Sequence, residues 1–139
     1  MDQNTSITLI RHGETEWNLS GRWQGHADSP LSPRGISQAK ALGGRIEEET
    51  FDFFYSSDLG RALHTSELIG SPSGMTAEMY PGFRERDLGV LEGLNTDEMM
   101  QSHPEVYKSF RHDGPEYEVP GGESFLHFYE RCSASIEDL

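Results

Sequence analysis

Seven consecutive residues near the start of the chain, Leu9-Ile10-Arg11-His12-Gly13-Glu14-Thr15, bring together side chains suited to phosphoryl chemistry. An arginine offers a planar fork of donors to phosphate oxygens. A neutral imidazole can attack phosphorus and hold the phosphoryl group covalently. A glycine lets backbone approach a ligand closely. The preceding run, Ser6-Ile7-Thr8-Leu9-Ile10, is short, apolar and β-branched and reads as a buried strand. In open α/β sheets ligands bind at the carboxyl edge of such strands. A lone histidine at a strand end is ordinarily structural, so the reading turns on what the rest of the chain supplies.

The elements that must position these residues follow in order. Arg11 to Leu31 reads as a loop with a helical turn near Glu14. Ser32-Pro33 opens a helix, Ser as N-cap and Pro at its first position, with Ile36, Ala39, Leu42 or Gly43, and Ile46 as the inward stripe. Phe51 to Ser56 reads as a second strand. Ser57-Asp58 caps a second helix that puts Arg61 in its first turn, and Gly70 closes it. Met75 to Tyr80 reads as a short third strand. Thr96 and Pro104 open short helices, and Arg111 to Gly122 is a loop. Ser124 opens a last helix whose apolar face is Phe125, Phe128, Cys132, Ile136 and Leu139; it has no stop signal and reads as running to the end of the chain. Alternating strands and helices predict an α/β fold with a parallel sheet, in one domain spanning residues 1–139.

Composition narrows the function classes. The net charge is −13, which argues against nucleic acid and against an anionic membrane surface as partners. Residues 1–64 hold six Lys/Arg against nine Asp/Glu, and residues 65–139 hold five against fifteen, so an anionic substrate demands a local gathering of arginines. No run approaches the roughly 18 apolar residues of a membrane helix. Met1 to Ser6 carries no basic leader, and one cysteine, Cys132, excludes an internal disulfide framework and reads as core; the expected compartment is the cytoplasm. His26, His64, His103, His112 and His127 have no metal-ligand spacing, and no metal or other cofactor is expected. Trp17 and Trp23 are expected to pack over the loop.

Further motifs stand in order behind the first: Asn18 and Gly21-Arg22-Trp23-Gln24-Gly25; Asp28-Ser29-Pro30-Leu31-Ser32-Pro33-Arg34-Gly35 with Gln38-Ala39; Tyr55-Ser56-Ser57-Asp58-Leu59-Gly60-Arg61-Ala62 with Thr65; Glu85-Arg86-Asp87-Leu88-Gly89 with Glu92-Gly93; and Gly121-Gly122-Glu123-Ser124. In this the sequence, from Thr8 to about Leu139, resembles the histidine phosphatase superfamily, also called the phosphoglycerate mutase-like family. The resemblance implies a three-layer sandwich with a mostly parallel central sheet flanked by helices. It implies that His12 is the nucleophile, that Arg11 and Arg61 clamp the phosphate with Asn18 as a polar ligand, and that Glu85 serves as proton donor and then base. Gln24 and Gly25 lie where the family lines the substrate mouth.

Physical arguments support these roles. Guanidinium groups stabilise equatorial phosphate charge without a metal, and a helix N-terminus beside Arg61 favours anions. Asp87 and Glu92 remain alternatives to Glu85. Arg22, Arg34, Arg84 and Arg86 read as solvated or loop-pairing, with Arg22 and Arg84 as candidates for the rim.

One departure matters. The family carries a second catalytic histidine in a Ser/Thr-His-Gly motif after a later strand, and none of the remaining histidines here stands in such a motif. The 139 residues are therefore expected to lack that histidine and its strand, to be incomplete at the C-terminus, and to leave apolar surface and a sheet edge that a homodimer could cover. The leading expectation is a metal-independent phosphomonoesterase acting on a small phosphorylated metabolite. The short stretch from Gly89 to Gly121 favours this over phosphoglycerate mutase-type transfer. A third reading is an inactive phosphate-binding or interaction protein.

Overall fold

The computed structural model describes residues 5–139. Helix α1 (Glu16–Leu19) is a single turn, opened by Thr15 in a reciprocal capping box with Asn18. Helix α2 (Pro33–Ile46) starts where the Ser-Pro pair predicts: the Ser32 side chain accepts from Gly35 N, and Ala39 and Gly43 are buried. Strand β1 (Tyr55–Ser56) leads to helix α3 (Gly60–Gly70), and strand β2 (Glu78–Met79) lies parallel to β1 with Tyr55 opposite Glu78. Single 3-10 turns follow at Pro81–Phe83 and Gly89–Leu91. Helices α4 (Thr96–Ser102), α5 (Pro104–His112) and α6 (Phe125–Glu137) complete the chain. The result is an α/β fold in which a small parallel sheet is flanked by helices.

The sheet is smaller than the sequence predicts. Ser6–Ile10 is not a strand: among the described residues nothing pairs with it, and Leu9 is 85% exposed and Ile7 59%. An apolar β-branched run becomes a buried strand only where neighbours supply a ladder and a cover. The other two strands shrink to two residues each, Tyr55–Ser56 at the end of the expected 51–56 run and Glu78–Met79 within 75–80. Their aromatic rings still meet, Tyr55 edge-on to Tyr80 at 6.2 Å between centroids.

Three caps also differ. Asp28, not Ser57 or Asp58, holds the start of α3, its carboxylate accepting from Arg61 N at 3.1 and 3.3 Å. Asn95 caps α4 one residue before Thr96, in a capping box with Glu98. Helix α6 closes at Asp138. Its apolar stripe is not a core face: Phe128 and Cys132 are half-buried, while Phe125, Ile136 and Leu139 are exposed. Ser135 is what α6 buries, against Gly82.

Two packed regions flank the loop that carries His12. In one, Leu88, Leu91, Met99 and Val119 are buried beneath Trp23, Tyr107 and Phe110. In the other, α2 and α3 cross closely, and a Cβ on Gly43 would stand 2.9 Å from Ile69 O. The loop itself lies on the first turn of α2. Ser32 N donates to Glu14 O at 2.8 Å, and a Cβ on Gly13 or Gly35 would meet backbone oxygen at 2.6 or 2.0 Å. Gly13 thus serves close packing against α2.

Two predictions test this packing by thermal unfolding. Gly35→Ala forces a backbone clash and is expected to cost about 1–3 kcal/mol, while Gly44→Ala, with open space around it, is expected to add about 0.5–1 kcal/mol. Equal effects would contradict the close approach. Glu92→Ala leaves the backbone N–H groups of His26, Ala27 and Leu88 without their carboxylate acceptor and is expected to cost at least about 2 kcal/mol.

Candidate active site

His12 follows the unpaired Ser6–Ile10 segment and is held through its C-terminal neighbour, Gly13. Gly13 N donates to Thr65 Oγ1 at 3.0 Å, and Thr65 in turn donates to Arg61 O at 2.7 Å. The His12 loop is thereby tied to the first turn of α3. The imidazole Nδ1 lies 2.7 Å from Gly13 O. A carbonyl only accepts, so Nδ1 carries the hydrogen and Nε2 presents its lone pair. Burial pushes the His12 pKa below the ordinary value; the Gly13 carbonyl and Glu85 oppose this, and the charges of Arg61 and Arg11 reinforce it. The ring is therefore neutral near pH 7, the form a nucleophile requires. The sign for stability follows. The unfolded chain takes this proton more readily than the folded one, so the contribution is present above about pH 6.5 and is lost as pH falls below it.

Arg61 is 3% exposed. Its Nη1 donates to Ala27 O at 3.0 Å and to Asp28 Oδ1 at 3.1 Å, and its Nη2 to Gly25 O at 2.8 Å. A guanidinium has five N–H donors, so donors remain for a ligand. The segment that supplies these acceptors is itself clamped. Glu92 accepts from His26 N at 2.6 Å, Ala27 N at 2.7 Å and Leu88 N at 3.1 Å. Gly25 sits at φ +63°, and a Cβ there would meet the Glu92 carboxylate at 2.2 Å, so glycine is required on both counts.

These residues border one cleft of about 450 Å³. Arg11, His12, Asn18, Gln24, Gly25, Arg61 and Glu85, all singled out in the sequence, line it together. Arg11 is exposed and has no carboxylate partner among the described residues. Asn18 accepts from Thr15 N through Oδ1, which leaves its amide N–H groups for a ligand. Gln24 is buried and accepts from Thr15 Oγ1 at 3.1 Å.

The two rival acids are accounted for elsewhere. Glu92 is bound to three backbone N–H groups, and Asp87 accepts from Gly89 N and faces His26 Nδ1 at 3.3 Å. Glu85 alone of the three lines the cleft. Arg84 is no rim residue: it pairs in a fork with Asp58, which it holds below the usual carboxylate range. Arg22 lines the cleft but pairs with Glu98 at 2.6 and 2.8 Å. Arg86, read as loop-pairing, also lines the cleft while donating to Glu123 O and Tyr117 O.

Sequence reasoning did not assign Asp28, Thr15 or Thr65 a role, although all three stand within its motifs. Nor did it find Trp23, Leu88 and Phe110 as cleft walls. No local pattern distinguishes these apolar residues from core, because their placement depends on how distant segments meet. Among the described residues no three His, Cys, Asp or Glu side chains converge as metal ligands do.

The histidine phosphatase superfamily (branch 1) matches residues 7–139. The chain is 37% identical over 136 residues to phosphoglycerate mutase-like protein 4 of Arabidopsis thaliana, covering 96% of this chain and 59% of that protein. It is 38% identical over 138 residues to a metal-independent phosphoserine phosphatase of the same plant, covering 97% of this chain and 58% of that one. The crystal structure of an alpha-ribazole phosphatase from Shigella flexneri superposes with a TM-score of 0.87 at 34% identity, covering 92% of this chain and 63% of the other. The chain thus spans about three fifths of the length of these relatives. With the family match running over nearly its whole length and the motif residues meeting in one cleft, the chain belongs to the histidine phosphatase superfamily.

Proposed function

We propose that this chain supplies the nucleophile and phosphate cradle of a metal-independent phosphomonoesterase that works through a phosphohistidine on His12. The observation that carries the reading is the pairing of a neutral His12, its Nε2 lone pair unencumbered, with the buried and oriented guanidinium of Arg61 in the same cleft. In this scheme a phosphomonoester binds with its oxygens on Arg11, Arg61 and the Asn18 amide. His12 Nε2 attacks phosphorus, and the ester P–O bond breaks as Glu85 gives its proton to the leaving oxygen. Water then attacks the phosphohistidine, Glu85 takes the water's proton, and phosphate departs with His12 restored. Arginine charge offsets the charge on the equatorial oxygens throughout. The substrate is a small phosphorylated metabolite.

The test is incubation of the chain with an aryl phosphate in excess EDTA, with His12→Ala alongside. The expected outcome is phosphate release or an acid-labile phosphoryl group on the protein, either of which His12→Ala removes. Release that survives His12→Ala, or that vanishes in EDTA, would sink the proposal. Retained phosphate binding without any transfer would instead favour a binding protein.

A second prediction concerns pH. Protonated His12 cannot attack, so the acid limb of kcat/KM is expected below about 6.5. In an NMR titration the His12 ring is expected to titrate below that value in the free protein. Arg11→Gln is expected to raise it, since one of the charges that lowers it is gone. A free-protein value at or above 6.5 would contradict the assignment.

A further inference from the structure

Glu85 stands on a stretch of backbone with no secondary structure of its own. Residues 84–88 lie in no helix, strand or turn, between the 3-10 turns at Pro81–Phe83 and Gly89–Leu91. The ends of the stretch are fixed elsewhere, Arg84 to Asp58 and Leu88 N to Glu92. Its middle is gripped from α6. Arg131 donates through Nη1 to Gly82 O at 2.8 Å and Arg84 O at 3.1 Å, and through Nη2 to Glu85 O at 3.3 Å. Its other bonds go to one carboxylate, Nη2 to Glu123 Oε1 at 2.6 Å and Nε to Glu123 Oε2 at 3.3 Å. A guanidinium has five N–H donors, so every donor of Arg131 is committed. Glu123 completes the grip. Its Oε1 accepts from Asp87 N at 3.0 Å, its N donates to Asp87 O at 3.0 Å, and its O accepts from Arg86 Nε at 3.1 Å. The Glu85 carboxylate accepts from Arg86 N at 2.8 Å, so its direction follows the backbone that Arg131 and Glu123 hold.

We infer that Arg131 is a positioning residue for the general acid: with Glu123 it fixes the backbone of Glu85, and thereby the reach of the Glu85 carboxyl to the leaving oxygen. The inference rests on the proposed function and deepens it. A proton donor acts only from hydrogen-bond reach of the atom it protonates, and an acid on a bare loop has no element of its own to keep it there. A displacement of about 1 Å can cost about 10²-fold in rate. Arg131 does not line the cleft, so it acts through Glu85 and not on a ligand. Burial would raise the Glu123 carboxyl, but the Arg131 fork and the Asp87 N–H outweigh it and hold the carboxyl below its ordinary range; the same fork raises the Arg131 guanidinium. Both stay charged at neutral pH. Lysine is no substitute, because three donors on a compact ammonium cannot serve five acceptor atoms.

The test uses Arg131→Lys, which keeps the charge and loses the fork, on the full chain in EDTA. Transfer to His12 is followed by rapid quench as acid-labile phosphate on the protein, from benzyl phosphate and from 2,4-dinitrophenyl phosphate. The benzyl oxygen must receive a proton as its P–O bond breaks; dinitrophenolate leaves without one. Arg131→Lys is expected to slow transfer from benzyl phosphate at least about tenfold and from the dinitrophenyl ester less than about threefold, the same bias that Glu85→Gln produces. Gly43→Ala strains the α2–α3 packing away from this loop and should show no such bias, which separates positioning from instability. Equal slowing with both esters, or none with benzyl phosphate, would overturn the inference. The second readout needs no turnover. The Glu85 charge raises the His12 pKa, so Glu85→Gln is expected to lower it in an NMR titration, and by less than about half as much in the Arg131→Lys background. A full-sized shift in both backgrounds, or none in either, would overturn the inference. Should Arg131→Lys fail to fold, Glu123→Asp, whose carboxylate falls one methylene short of the fork, carries the same expectations. Absent transfer from both esters with the expected His12 shifts would sink the phosphatase reading and leave the positioning of Glu85 standing. Transfer without ester bias in Glu85→Gln would overturn the acid role and the inference together.

Discussion

A guanidinium with almost no access to water organises this molecule. Arg61 is expensive to bury unless its charge is paired and its N–H groups are satisfied, and breaking such a buried pair costs on the order of 3–5 kcal/mol. The chain meets the demand with one short segment, Gly25 to Asp28, which offers two carbonyls and a carboxylate. Asp28 does double duty, since the same carboxylate accepts from the Arg61 backbone N–H in the first turn of α3. The segment cannot wander, because Glu92 grips it from the other side through backbone N–H groups. Strain in any of these places would move the Arg61 guanidinium.

His12 inherits its setting from the same node. Thr65, one helical turn after Arg61, joins the Arg61 carbonyl to the Gly13 amide. The loop therefore reports the position of α3, and the close approach of Gly13 and Gly35 reports that of α2. Preorganisation of this type lets a site stabilise charge without reorganising at the moment of reaction. The tautomer of His12 is settled by its own backbone neighbour, and its neutrality by burial beside two positive charges. His12 and Arg61 thus belong to one hydrogen-bonded unit.

In this acidic chain, several arginines serve as ties between loops. Arg22, Arg84, Arg86 and Arg131 each spend their donors on carboxylates or carbonyls that join loops. Arg131 ties α6 to Gly82, Arg84 and Glu123. Arg11, in the cleft, has no carboxylate partner among the described residues.

Much of this was legible in the residues themselves. The order of motifs, the residues His12, Arg11 and Arg61 that meet in the cleft, and the caps at Ser32 and Ser124 are written in short stretches, where hydrogen-bond reach and steric limits act within a few residues. Glu85 could be named but not separated from Asp87 and Glu92, because three acids close in sequence differ only in what each meets after folding. Tertiary structure decided that Glu92 is a clamp, that Asp28 caps α3 from 33 residues away, and that Arg84 turns from the cleft to Asp58. It also decided that Phe110 is a wall, and that Ser6–Ile10 remains unpaired despite a strand's composition. The physical reason is common to all of them. Burial, ion pairing and sheet ladders belong to pairs of distant segments, and neither partner alone encodes the meeting.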